Sequence, residues 1–255
     1  MRRREKFVIS TVLLSVFFFA IQYVSLDWRY LAIGGLAVIT YLVSSFALSD
    51  DLQFHERLTI VPLPTMYATA VALFYFLLPD NFISQLVILV LFSIGLYALF
   101  LTSNIFSVVK GRTIQLLYAA QAVGFFFTLL TSLLITNTVF SLHLPFWVNG
   151  LLIGLVHFPL IFMSLWAVNF EDFIAKDILI YSSILSVFLM EFAVLLSLIP
   201  ISLWNASLFI VGVVYLVLGL LQSFLRGRLF KNTIAEYSLM AVILALLFLV
   251  FFPYK

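Results

Sequence analysis

The stretch LIYSSILSVFLMEFAVLLSLIP, Leu179–Pro200, decides the fold class. It carries one charged side chain, Glu191, in a run long enough to cross a hydrocarbon core, which takes about 20 apolar residues per helix. Similar runs recur along the whole chain. Hydrophobic residues make up 65% of the 255 and charged residues 9%, against about 45–50% and about 25% in soluble domains. A soluble domain of that composition would lack the polar side chains needed to cover its surface. The expected fold class is therefore all-α: a polytopic transmembrane helix bundle with short loops, forming a single transmembrane helical domain over residues 1–255. Cysteine is absent, which excludes disulfides, thiolate metal sites and a cysteine nucleophile.

Glycine, proline and clusters of charge divide the chain into nine expected spans. They are Phe7–Leu26, Tyr30–Leu48, Ile60–Leu78, Phe82–Leu101, Gln115–Ile135, Phe146–Val168, Ile178–Ile199, Ser207–Phe224 and Ile234–Phe252. The third is the ambiguous one, because Pro62 and Pro64 at its start also fit a re-entrant hairpin. The basic residues arbitrate. With nine spans and a cytoplasmic N-terminus, eleven of the 13 lie inside: Arg2, Arg3, Arg4, Lys6, Arg57, Lys110, Arg112, Lys176, Arg226, Arg228 and Lys231. Only Arg29 and Lys255 lie outside. Removing the third span leaves six inside and seven outside, which the positive-inside rule disfavours. Trp28, Trp147 and Trp204 fall at outer ends and Trp166 at an inner end, where amphipathic rings favour the headgroup level. The opening MRRREKFVISTVLLSVFFFAIQYV has an apolar run longer than a signal peptide's and no small-residue cleavage site, and is expected to be an uncleaved first helix.

The arrangement SDDLQ, SNIFSVVKGRTIQLLYAAQAVGF and LRGRLFKNT, set among short-looped apolar spans, resembles an uncharacterised family of multi-pass inner-membrane proteins from small-genome candidate-phyla bacteria. The resemblance runs over most of the chain. It implies a bacterial inner membrane, with the N-terminus cytoplasmic and the C-terminus external by the count above, and it implies no activity.

A carboxylate near a bilayer midplane costs on the order of 3 kcal/mol or more, so Glu191 must be neutral, hydrated or paired. Its own helical neighbours, Ile184, Val187, Phe188, Val194, Leu195 and Leu198, offer no partner. Counting from the inner ends of their spans places His157 within roughly 3 Å of its height, and the short link NFEDFIAKD makes the two helices antiparallel neighbours. Gly150, Gly154, His157 and Ser164 share one face, and the two glycines let another helix approach closely. Gln121, Gly124, Thr128 and Ser132 form a polar face on the fifth span. The expected buried polar centre is thus His157, Glu191 and Gln121, serving either as packing between helices or as a proton relay or polar cavity.

Other charged groups have simpler readings. Thr233 and Glu236 fit a capping box opening the last helix, and Asp177 suits the start of the seventh. Asp50, Asp51, His55 and Glu56 crowd oxygen and nitrogen donors at the cytoplasmic face, a weak candidate for a divalent metal. No metalloprotease, nucleophile-elbow, phosphate-loop or dinucleotide motif is present, so no catalytic residue and no cofactor is expected. The leading expectation is a non-catalytic membrane-embedded subunit or scaffold. The alternatives are a small-solute or proton-coupled transporter built around Glu191 and His157, and a membrane-face enzyme acting on a lipid-linked substrate. The expected partners are the lipid bilayer and another membrane protein, with no nucleic acid.

Overall fold

A computed structural model describes residues 3–25, 27–49, 56–79, 81–108, 116–170 and 175–251. Among these there are ten α-helices and no strand: α1 Arg3–Ile21, α2 Arg29–Ala47, α3 Glu56–Thr59, α4 Pro62–Tyr75, α5 Phe82–Val108, α6 Leu117–Ser141, α7 Phe146–Asn169, α8 Lys176–Leu198, α9 Leu203–Leu225 and α10 Lys231–Phe251. Eight helical segments are long and apolar enough to cross a membrane, and α3 and α4 together count as one of them. The ninth, α1, is as long as α2, but any membrane-length window of it includes Arg4, Glu5 and Lys6. The protein is an all-α bundle of membrane-spanning helices.

The prolines of the ambiguous third span sit where a helix tolerates them. Pro62 opens α4 and Pro64 is two residues on, positions whose N–H groups have no partner inside the helix in any case. The single turn α3 and then α4 make one broken segment, Glu56–Tyr75, and it is among the most buried in the chain. At the other end, α10 begins at Lys231, so Thr233 lies inside the helix and does not cap it. The expected capping box is corrected: the Ile234 N–H donates to the Phe230 carbonyl, placing the helix start earlier. Gly227, at φ +64°, reverses the chain directly before it, in a conformation that L side chains rarely adopt. Trp28, Trp147 and Trp204 are exposed at helix starts, whereas Trp166 is buried and packs its ring against Phe170 at 5.4 Å. Trp166 is a core residue and not a headgroup anchor.

The sequence treats 1–255 as one domain, and the contacts within the chain divide it into two compact units, Met1–Leu134 and Ile135–Lys255. In the first unit α1 packs on α2 and α5, and α4 on α2 and α5. Phe18 stacks on Phe92 at 4.5 Å, and the Ser15 and Ser93 hydroxyls share a hydrogen bond of 2.7 Å. The Tyr67 hydroxyl donates to the Leu91 carbonyl at 2.8 Å, crossing α5 at Gly95, where any Cβ would overlap the phenol.

In the second unit α7 and α8 are the most closely packed helix pair. A Cβ on Gly150 would lie 2.9 Å from the Met190 carbonyl oxygen. One on Gly154 would lie 2.9 Å from Met190 Cβ and 3.3 Å from the Ser186 carbonyl oxygen. Higher numbers on α7 meet lower numbers on α8, so the pair is antiparallel. The expectation drawn from the two glycines holds, for the physical reason that lipid tails give apolar helices no hydrophobic reward for associating, and close backbone approach supplies the attraction. The helix α9 packs on both α7 and α8, and α10 on α9 through Gly212 against Leu244 and Phe209 against Phe248.

Gly154→Leu should force α7 and α8 apart and destabilise the protein by about 1–3 kcal/mol, as overpacking does. Gly34→Leu, where an added Cβ meets nothing within 4 Å, should leave stability unchanged. Thermal unfolding in detergent checks both.

Candidate functional site

Within the spans, several hydroxyl groups are satisfied by their own helix. Thr11, Ser93, Thr128, Ser182, Ser197 and Ser207 each donate to the carbonyl four residues back, at 2.7–2.9 Å. This is the arrangement a hydrocarbon solvent demands, because no water is available to the backbone or to a free hydroxyl. Other polar side chains reach between helices. In the second unit Gln222 on α9 donates to the Ser164 hydroxyl at 2.8 Å and to the Ser164 carbonyl at 3.1 Å, and Asn149 on α7 donates to the Ser197 hydroxyl on α8 at 3.2 Å. Neither Gln222 nor Asn149 stands out in the sequence, because an amide at a helix end is usually solvated.

His157 is fully buried on α7, on the protein-facing side expected from its neighbours. Its Nδ1 lies 2.8 Å from the Ile153 carbonyl oxygen, a geometry in which the ring N–H donates within its own helix. Gln121, Thr128 and Ser132 are likewise buried, so the polar face of the fifth span, now α6, points inward as expected. Gln121 belongs to the first unit, and His157 and Glu191 to the second.

Glu191 is where structure and expectation part. It is exposed. The buried face of α8 is formed by Ile178, Ser182, Leu185, Ser186, Leu189, Ala193 and Leu196. Glu191 is two residues from both Leu189 and Ala193, about 200° around the helix from each, and so lies on the opposite face. Its neighbours there are Ile180, Ile184, Val187, Phe188, Leu195 and Leu198, all exposed. Among the described residues Glu191 makes no hydrogen bond or ion pair. Its height also differs from expectation. Since Gly154 meets Ser186 and Met190 in an antiparallel pair, His157 is level with the turn of α8 just before Ser186, which puts Glu191 about 9 Å or more along the axis from it. A buried pairing of Glu191 with His157 is corrected on both counts, because counting from helix ends fixes neither the rotation of a helix nor its slide against its neighbour.

A signal for the rotation was present in the sequence. Four of the five small residues of α8, Ser182, Ser186, Ala193 and Ser197, recur on one side of the helix, with Ser183 the exception, and small residues mark the face where membrane helices touch. Glu191 is opposite them.

Beside Glu191 the α7–α8 pair opens an apolar groove of about 280 Å³. Gly154, Ser186 and Met190 line its floor, Leu151, Leu155 and Phe158 one wall, and Ser183 and Val187 the other. Ser183, Val187 and Glu191 follow one another at four-residue intervals, so the carboxyl continues the ridge that walls the groove.

Asp50, Asp51 and His55 lie outside the described residues. Glu56, the first residue of α3, is buried. Among the described residues no group of three or more histidine, aspartate or glutamate side chains is placed to hold a metal ion. Comparison with protein families, curated proteins and solved structures gives no significant match. The chemistry of the site therefore rests on its own residues: one carboxyl group, set in an apolar helix face, beside an apolar groove.

Glu191→Leu should leave thermal stability within about 0.5 kcal/mol of wild type, as expected of a surface position. Gln222→Leu, which removes the bonds to Ser164, should cost roughly 0.5–1 kcal/mol. Unfolding in detergent distinguishes this order from a buried Glu191, whose loss would be the costlier.

Proposed function

We propose that the protein is a membrane-embedded, non-catalytic subunit of a larger assembly in a bacterial inner membrane. The observation that carries this reading is the position of Glu191 on the exposed apolar face of α8. Ionisable side chains inside a membrane almost always face protein or a water-filled cavity, because lipid cannot stabilise them. A carboxyl group in the middle of a lipid-exposed face is explained when another protein covers it. The helix α10 supports the same reading. It has no buried residue, and among the described helix pairs it packs closely only on α9, which leaves most of its circumference open to a neighbour. A transporter built on Glu191 and His157 loses its acid to the wrong side of the helix.

The proposed threading puts the N-terminus in the cytoplasm and the C-terminus outside. Reporter domains fused after Lys255 should be active only in the external compartment. Activity in the cytoplasm would overturn the threading. Cross-linking in native membranes followed by purification should recover a membrane protein in fixed stoichiometry with this one, and Glu191→Leu should release it. Recovery of the protein alone, with or without cross-linking, would contradict the subunit reading.

A further inference from the structure

We propose that the α7–α8 groove and Glu191 together seat one transmembrane helix of another protein, and that this helix carries a lysine or arginine which pairs with the Glu191 carboxylate. The inference rests on the subunit reading and names the chemistry of the partner.

Two features define the occupant. The first is charge. No basic side chain of α8 is nearer than Lys176, fifteen residues and about 22 Å back along the axis. The spans of α7 and α9 contain no lysine or arginine at all. In hydrocarbon, an acidic group with no countercharge of its own is best compensated by a cation delivered at the same depth. A lipid amine does not reach it: Glu191 is seven residues, about 10 Å, from the end of α8 at Leu198 and so below the headgroups. A lysine or arginine on a neighbouring helix does, because its long apolar stem lies along the helix surface and carries the charged head sideways to the acid. A second copy of this chain related by a two-fold axis would instead set one Glu191 against the other, like against like.

The second feature is shape. Gly154, Ser183 and Ser186 contribute little side-chain bulk to the groove, and its volume of about 280 Å³ takes a large apolar side chain of an approaching helix. Because Glu191 lies on the same ridge as Ser183 and Val187, a helix laid in the groove passes directly beside the carboxyl group. Apolar contact in the groove fixes where the helix lies, and the ion pair selects which helix.

The test reconstitutes the purified full-length protein in phosphatidylcholine vesicles with a fluorescent leucine–alanine helix of about 21 residues. Its central residue is either lysine or leucine, and association is read by energy transfer. The lysine helix should bind about tenfold more tightly than the leucine helix, the worth of one interhelical hydrogen-bonded contact in lipid. Glu191→Gln should reduce it to the leucine level. Ser183→Trp, which fills the groove from an exposed position and leaves the α7–α8 contact intact, should weaken both helices. Equal binding of the two helices to wild type would overturn the cationic partner and leave the subunit reading standing. No binding of either above an unrelated helix, or self-association that Glu191→Leu abolishes, would overturn the proposed occupant. The subunit reading itself fails separately, when no stoichiometric partner is recovered from native membranes.

Discussion

The absence of water from the bilayer core governs this structure. Every backbone N–H and C=O in the spans must be satisfied where it stands, which leaves helices as the economical solution and turns serine and threonine hydroxyls back onto their own helix. Thr11, Ser93, Thr128, Ser182 and Ser207 all do this. Once polar groups are satisfied internally, little specific attraction between helices remains. What holds neighbours together is close contact, achieved where glycine removes the side chain: Gly95 under Tyr67, Gly150 and Gly154 under α8, and Gly212 under Leu244. Interhelical hydrogen bonds, between Ser15 and Ser93, from Tyr67 to the Leu91 carbonyl, from Gln222 to Ser164 and from Asn149 to Ser197, fix slide and rotation where glycine allows approach.

Against that background Glu191 is an exception. In the second unit the buried His157 donates to Ile153, and Gln222 bridges to Ser164, so both are held inside the protein. Glu191 occupies an exposed face and makes no hydrogen bond or ion pair among the described residues. A group that the solvent cannot stabilise, and that the protein's own helices do not approach, points outward to a neighbour. The groove alongside it supplies the shape that an unaccompanied carboxyl group would not.

The fold was legible because the membrane imposes so few solutions. Composition alone excludes a soluble domain, and the spans drawn from apolar runs coincide with helices along the chain, including the broken third one with its two prolines. The glycine pair on α7 and the inward polar face of α6 were readable because both are periodic, and a period of about 3.6 converts directly into a face. The relation of Glu191 to His157 was not readable by the same means. Depth measured from helix ends assumes that neighbouring helices begin level, and it says nothing about which way a side chain points. The small residues Ser182, Ser186 and Ala193 held the missing rotation. The start of α10 was misread because Thr233 and Glu236 satisfy a capping pattern locally, whereas the turn at Gly227 lets the helix begin at Lys231, ahead of them.

The central claim is that protein, and not lipid, covers the α8 face around Glu191. It is tested most directly by placing a photo-reactive amino acid at Val187, one turn from Glu191 on the same ridge, and irradiating intact cells. A discrete protein adduct is expected, absent when the same position is probed in a Glu191→Leu background and absent from a probe at Ile33 in the core of the first unit. Labelling of Val187 by lipid alone would contradict it.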